Sequence, residues 1–233
     1  MPSLERDGDV FVLLLGNADG SNPENRFGPV WIDEMHAVLD EVLASDGPAA
    51  LVTTASGKFY TNGLDTDHAF SDLAALPAYL DRVHEIYTRI LEFPMATVAA
   101  VQGHAFGAGA MLALAHDFHL MRADRGYFCL PEVSLGMPFT PGMTSLVTSR
   151  LSPQTALEAM TTGRRYGGPE AVEAGIVEST ATAEEIRATA VAIANALTSN
   201  RGPNLTAIKR SVHGPTLAAL AQKTTEKTFS FGQ

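Results

Sequence analysis

From Val10 to Leu15 the chain is apolar without a break, then closes on Gly16-Asn17 and the turn-forming stretch Asp19-Gly20-Ser21-Asn22-Pro23. This predicts a buried strand followed by a loop. Pro29 opens a helix that carries Ile32, Met35, Val38, Leu39 and Val42 at helical spacing and is stopped by Gly47-Pro48. Ala49 to Thr54 reads as a second strand, Ser56-Gly57 as a turn, and Phe59-Tyr60 as the entry to a loop, Thr61-Asn62-Gly63-Leu64-Asp65. One long helix is predicted from about Asp72 to Leu91, and a strand from Ala96 to Val101 follows Phe93-Pro94. Alternation of strand and helix is the mark of parallel βα units, and it places the chain in the α/β class.

Gly103-His104-Ala105-Phe106-Gly107-Ala108-Gly109 then runs straight into Ala110 to Ala115, a loop entering a small-residue, buried helix. Glycine at such an entry lets backbone N–H groups approach a ligand. Phe118 to Met121 and Tyr127 to Leu130 read as short strands about the turn Asp124-Arg125-Gly126. From Pro141 onward the pattern is helical, with Pro153, Pro169 and Pro203 near helix starts and a brief strand at Gly175-Ile176-Val177. A boundary near residue 197 divides a core, 1–197, from a terminal helical segment, 198–233, reached through Asn200-Arg201-Gly202-Pro203.

With 233 residues and 45% hydrophobic content the chain has ample core for one domain, which rules out disorder. The balance of 16 basic against 26 acidic residues, formal net charge −10, argues against nucleic acid as a partner, because no dense basic cluster stands out from the acidic background. No apolar run approaches the ~20 residues of a membrane span, and neither a secretory leader nor a peroxisomal Ser-Lys-Leu tail is visible, so no membrane association is expected and the cytoplasm is the expected compartment. The single cysteine, Cys129, excludes an intramolecular disulfide and a thiolate zinc site and reads as a core residue.

Several chemistries fall away on spacing. His84-Glu85 begins a zinc-protease pattern, but position 88 is Thr; His116 and His119 flank Asp117-Phe118 at a helix-to-strand junction and read as hydrogen-bonded rather than metal-binding. No Gly-x-Ser-x-Gly elbow, Gly-Lys-Ser/Thr phosphate loop or Gly-x-Gly-x-x-Gly dinucleotide turn occurs. What is left is a pair of glycine turns, each after a strand: Gly63-Leu64-Asp65 and Gly107-Ala108-Gly109. Two backbone N–H groups from separate turns can grip one developing oxyanion without a metal. Tight turning and close helix packing are the alternative reason for the same glycines.

These residues resemble the crotonase, or enoyl-CoA hydratase/isomerase, superfamily. The resemblance is carried by Ser56 to Asp65, by Ala99 to Gly109, and by Asp117 with Pro131-Glu132-Val133-Ser134-Leu135-Gly136, and it continues through Thr162-Gly163-Arg164-Arg165 to Lys209. It implies a crotonase-like spiral of ββα units with a C-terminal helical trimerisation region, hence a homotrimer or hexamer. It also implies an oxyanion hole from the Leu64 and Ala108 N–H groups around the thioester carbonyl of an acyl-CoA. The substrate and CoA would contact Phe59, Thr61, Gly63, Asp65, Gly107, Gly109 and Met111, with adenine near Phe59 to Thr61, and Lys209 would reach either a CoA phosphate or solvent. No metal and no cofactor beyond the CoA of the substrate is implied.

Family hydratases place a glutamate in the helix after the second glycine turn and another in the Pro-Glu segment; here the first position is Met111 and the second Glu132. Methionine cannot accept a proton or hold a polarised water. The pattern is most similar to the plant-type Δ3,Δ2-enoyl-CoA isomerases, which implies that Glu132 is the catalytic proton shuttle and that an apolar wall, with Met111 and Phe139 as candidates, raises its pKa. Asp65 reads as a brace for its turn and Asp117 as an anchor for its junction. Two other outcomes stand beside the isomerase: a hydratase or other crotonase-type lyase, with Asp65 or Glu132 alone handling water, and a non-catalytic acyl-CoA binding protein. Phe70, Leu73, Leu76, Tyr79 and Leu80 are candidate walls of the acyl pocket.

Overall fold

The apolar run at Val10 becomes β2 (Val10–Leu14), paired antiparallel with β1 (Ser3–Asp7) in a hairpin of a computed structural model that describes residues 2–16, 21–227 and 229. The rest of the expected loop, 17–20, lies outside the described residues. β1 is mostly exposed and lacks an apolar stripe, which is why the hydrophobic pattern does not announce it.

β3 (Ala50–Thr54), β5 (Ala96–Val101), β7 (Phe118–Arg122) and β9 (Ser179–Ala181) extend this hairpin in parallel, giving a six-stranded sheet in the order β1-β2-β3-β5-β7-β9. Both faces of its middle strands are covered. Phe11, Leu13, Leu51, Ala99 and Met121 point into the main core, while Val10, Val12, Val52, Val98 and Leu120 pack against Ile186, Ala190 and Ala194 of a helix spanning Ile186–Asn195. A parallel strand buried on both faces needs apolar residues at every position, and the unbroken runs in the sequence follow from that.

A second, three-stranded parallel sheet lies in the order β4 (Phe59–Thr61), β6 (His104–Phe106), β8 (Phe128–Cys129). Each turn of the chain thus lays one strand in the large sheet and the next in the small one before a helix, which is the ββα spiral of the crotonase fold. The helices are α1 (Pro29–Leu43), α2 (Thr66–Ser71), α3 (Leu76–Leu91), α4 (Ala108–Leu114), α5 (Pro141–Arg150), α6 (Pro153–Thr162), α7 (Gly168–Glu173), α8 (Ile186–Asn195), α9 (Pro203–Val212) and α10 (Gly214–Leu220). The last of these folds back onto α5 and α3.

Two expected elements differ. The helix expected from about Asp72 begins at Leu76, because Asp72 is extended at φ −145° and Pro77 sits in the first turn, and a separate short helix, α2, precedes it at Thr66–Ser71. Proline has no N–H for the preceding turn, so it starts a helix more readily than it continues one. The brief strand is Ser179–Ala181 rather than Gly175 to Val177. Ile176 and Val177 both donate their N–H groups to Ala171 O, closing the end of α7 around left-handed Gly175, and so are not available to a ladder.

Candidate active site

The three parallel strands of the small sheet end side by side, and each is followed at once by a candidate residue. β4 leads to Asn62-Gly63-Leu64, β6 to Gly107-Ala108, and β8 to Leu130-Pro131-Glu132. Loops beyond the carboxyl ends of adjacent parallel strands are brought together by the strand pairing itself, which makes this edge the natural place for a site. A cavity of about 280 Å³ opens there, and Leu64, Gly107, Ala108, Met111 and Glu132 line it.

The two glycine turns touch. A β-carbon on Gly63, whose φ is +80°, would lie 2.5 Å from Phe106 O and 2.9 Å from Ala108 N; one on Gly109 would lie 2.6 Å from Thr61 O. Only glycine permits that approach, so Gly63 and Gly109 act as the spacing between the turns rather than as cavity lining. Ala108 is the first residue of α4, where helix geometry gives its N–H no intrahelical acceptor, and no acceptor among the described residues takes the N–H of Leu64. The carbonyl of Ala108 is fixed from behind by the Tyr87 hydroxyl, which donates to it at 2.9 Å.

Thr61 and Phe59 lie behind the first turn. Thr61 is buried, its hydroxyl donating to Asn25 O at 2.7 Å and accepting from Gly63 N at 3.0 Å, and Phe59 offers its carbonyl to Asn25 and Gln102 side chains. Neither lines the cavity. Asp65 caps α2 by accepting from His68 N and accepts no proton-transfer geometry within the cavity, since it faces a separate groove beside Arg26 and Trp31.

Glu132 opens a 3-10 turn, Glu132–Leu135, that Pro131 starts and left-handed Gly136 ends. Glu132 is 7% exposed and one carboxyl oxygen, Oε2, has no hydrogen-bond partner among the described residues. Burial raises its pKa from the ordinary carboxylate value to about 7, with a backbone hydrogen bond opposing weakly. Met111, Met137, Met143 and Leu135 share the cavity and supply the apolar surroundings; Phe139 packs against the core and is not among the lining residues. Of the candidate walls on the following helices only Leu80 lines the cavity, while Phe70 and Leu73 are exposed and Tyr79 is used internally, its hydroxyl donating to Phe27 O.

Lys209 is a correction. It is buried in the core, its ammonium 2.6 Å from Asp117 Oδ2 and 2.9 Å from Met95 O, so it reaches neither solvent nor a phosphate. Asp117 also accepts from the Thr97 N–H and hydroxyl, and the group anchors α9 to the β5 and β7 junctions. His116 and His119 are buried with ring hydrogen bonds to Thr53, Leu112 O and His116 O. No group of three His, Cys, Asp or Glu side chains placed to hold a metal is found among the described residues.

The cavity has residues that the sequence did not single out. Arg26, Asn62 and Thr66 form a polar margin, joined through Glu24, which accepts from both Arg26 Nε at 2.6 Å and Asn62 Nδ2 at 2.9 Å. Phe229, near the chain's end, supplies an apolar wall. For Arg26 the available signal was Asn25, which takes a left-handed φ of 53° to fasten this loop to Phe59 O and Tyr60 O.

Residues 19–232 match the family model described as enoyl-CoA hydratase/isomerase. The chain belongs to that family. Among its relatives, enoyl-CoA delta isomerase 3 of Arabidopsis thaliana is 33% identical over 226 residues, covering 91% of this chain and 92% of that protein. Arabidopsis enoyl-CoA delta isomerase 2, named as peroxisomal, is 36% identical over 190 residues, covering 78% of this chain and 77% of that one. In fold, the chain superposes with TM-score 0.86 on an enoyl-CoA hydratase from Mycobacterium marinum, at 21% identity with 99% of each chain covered. Family membership implies an acyl-CoA substrate, and no helix among the described residues is long and apolar enough to cross a membrane.

Proposed function

We propose that this family member is a Δ3,Δ2-enoyl-CoA isomerase of fatty acid β-oxidation that uses Glu132 as its one proton shuttle. The observation that carries the reading is that Glu132 is the sole acid among the described residues lining the cavity, with Met111 in the place of a second carboxylate. The Arabidopsis relatives named as enoyl-CoA delta isomerases support it.

The thioester oxygen of a 3-enoyl-CoA accepts from Leu64 and Ala108 N–H. Glu132 as carboxylate removes a proton from C2; the electron pair delocalises through the enolate to the thioester oxygen, where the two N–H groups stabilise it. Protonated Glu132 then returns that proton at C4 as the double bond settles between C2 and C3. A base with pKa near 7 is better matched to a carbon acid than an ordinary carboxylate, and it remains half-available near neutrality. A homotrimer or hexamer built through the C-terminal helices belongs to the same reading, and exposed Ile208 and Val212 on α9 fit a covered face.

The test offers trans-3-hexenoyl-CoA and crotonyl-CoA to the purified protein and to Glu132→Gln. Isomerisation of the first substrate only, lost in the variant, is the expected result. Hydration of crotonyl-CoA would overturn the one-carboxylate mechanism, and CoA-ester binding without turnover would point to a non-catalytic protein.

A further inference from the structure

Apart from Glu132, the polar side chains of the cavity gather at one margin and the rest of its side-chain lining is apolar, which gives it a direction. Arg26, Asn62 and Thr66 stand at the polar margin, while Leu80, Met143 and Phe229 belong to the main apolar core and present side chains to the same space. An acyl-CoA whose thioester lies at Leu64 and Ala108 would run its hydrocarbon toward the second group and leave its polar remainder on the Arg26 side.

Phe229 arrives there from the C-terminal tail. Beyond α10 the tail is fastened to α3 through Asp81: its Oδ1 accepts from the Thr224 N–H at 2.8 Å, and its Oδ2 lies 3.3 Å from Lys223 Nζ. Thr224 is buried, and the Phe229 N–H donates to Thr225 O at 2.9 Å, a tight turn that delivers the ring to a buried position. Asp81 follows Leu80 directly, so the anchor of the tail is the chain neighbour of a cavity wall residue. At about 280 Å³ the cavity is just below the ~300–1,000 Å³ usual for ligand pockets.

We propose that Phe229, seated by Asp81, closes the apolar end of the cavity and sets the upper limit of acyl chain length, so that the protein takes short to medium linear acyl-CoA esters and rejects long ones. This rests on the acyl-CoA reading given above. Phe229 is a specificity-determining wall and Asp81 a positioning residue that acts through the tail. The three methionines, Met111, Met137 and Met143, are flexible enough to follow chains of different shape, whereas a phenyl ring is rigid.

The experiment uses the full chain and two readouts. Calorimetry measures binding of butanoyl-, octanoyl-, dodecanoyl- and hexadecanoyl-CoA, and kcat/KM is measured on trans-3-enoyl-CoA substrates of six to twelve carbons. In Phe229→Ala the preference for twelve over six carbons should rise at least about tenfold, since each additional buried methylene contributes roughly a fourfold gain. Phe229→Trp should move the preference the other way. Asp81→Ala, which keeps the phenyl ring but unfastens the tail that seats it, should shift the profile in the same direction as Phe229→Ala and by less. Phe229→Leu serves if the alanine variant fails to fold, with the same direction expected. Unchanged chain-length profiles in the Phe229 variants would overturn the proposal. If no enoyl ester turns over but the binding profile still shifts, the isomerase reading fails while the wall stands; if no acyl-CoA binds at all, both fall.

Discussion

A β-carbon added to Gly107 would stand 3.1 Å from Glu132 Oε1. The turn that supplies the Ala108 N–H and the carboxyl proposed to move the proton are therefore packed directly on each other. Gly107 holds φ 53° and ψ −121°, a conformation open to glycine and strained for other residues. Gly107→Ala should consequently injure both parts at once. We expect kcat/KM to fall by about 100-fold, the cost typical of a misplacement near 1 Å, with about 1–3 kcal/mol lost from stability. Kinetics paired with urea denaturation checks this, and an alanine variant of near-normal activity would show that the carboxyl does not depend on this contact.

The pKa of Glu132 fixes the pH dependence of activity. In the proposed mechanism the carboxylate is the form that removes a proton, so kcat/KM should rise with pH, reach half its plateau near pH 7 and level off above. A plateau already reached at pH 5 would mean that the reacting base is not this buried carboxyl.

Stability should move against activity at the same residue. The folded pKa of about 7 is above that of the unfolded chain, so folding favours the protonated acid. This contribution is fully present below about pH 4.5 and is lost as pH rises through 7. Glu132→Gln removes the titration, and relative to the parent it should gain about 2–3 kcal/mol between pH 4.5 and 8. Denaturant unfolding at the two pH values measures the difference, which should vanish if the carboxyl is well solvated.

The glycine turns of the site could be read from local chain geometry, whereas Glu132 entered through the family resemblance. Gly63, Gly107 and Glu132 sit in turns directly after strands, and the strand pairing of β4, β6 and β8 does the rest. Met111 was legible as a missing carboxylate only through the resemblance to the family's hydratases, which carry a glutamate at this place after the second glycine turn; it does line the cavity, from α4. Arg26, Asn62 and Phe229 arrive by tertiary packing, from a loop and from the far end of the chain, and no periodicity marks them. Thr61 and Phe59 carry the pattern of the site but spend it on bracing the first turn. The resemblance led Lys209 to be expected at a CoA phosphate or in solvent; its burial depends on Asp117, which is distant in sequence and adjacent only in the fold.

His116 should make the fold acid-sensitive. It is buried, its Nε2 2.9 Å from the Thr53 hydroxyl and its Nδ1 2.9 Å from Leu112 O, an arrangement that suits the neutral ring donating through Nδ1. Burial lowers its pKa to about 3, so the stability it contributes is present above the unfolded value near 6.5 and is lost as pH falls. The destabilisation caused by His116→Gln at pH 7 should therefore shrink by about 2 kcal/mol at pH 5, because only the parent loses stability by protonation of its unfolded state. Equal differences at the two pH values would show that the imidazole titrates normally in the folded chain.

Lys209 and Asp117 offer a sharper distinction between structure and substrate binding. Both are largely buried and their charges meet at 2.6 Å, so removing one leaves the other charged in a poorly solvated place. Lys209→Met should cost about 3 kcal/mol, within the range for breaking a buried pair. Restoring neutrality with Asp117→Asn in the same chain should recover part of that loss, since asparagine can still accept from the Thr97 N–H and hydroxyl through its carbonyl oxygen. KM for an enoyl-CoA substrate should be unchanged in folded Lys209→Met, because the ammonium is turned inward to Asp117 and Met95 O. A selective rise in KM, with stability intact, would instead place Lys209 against the CoA phosphates and break the assignment of this pair to the core.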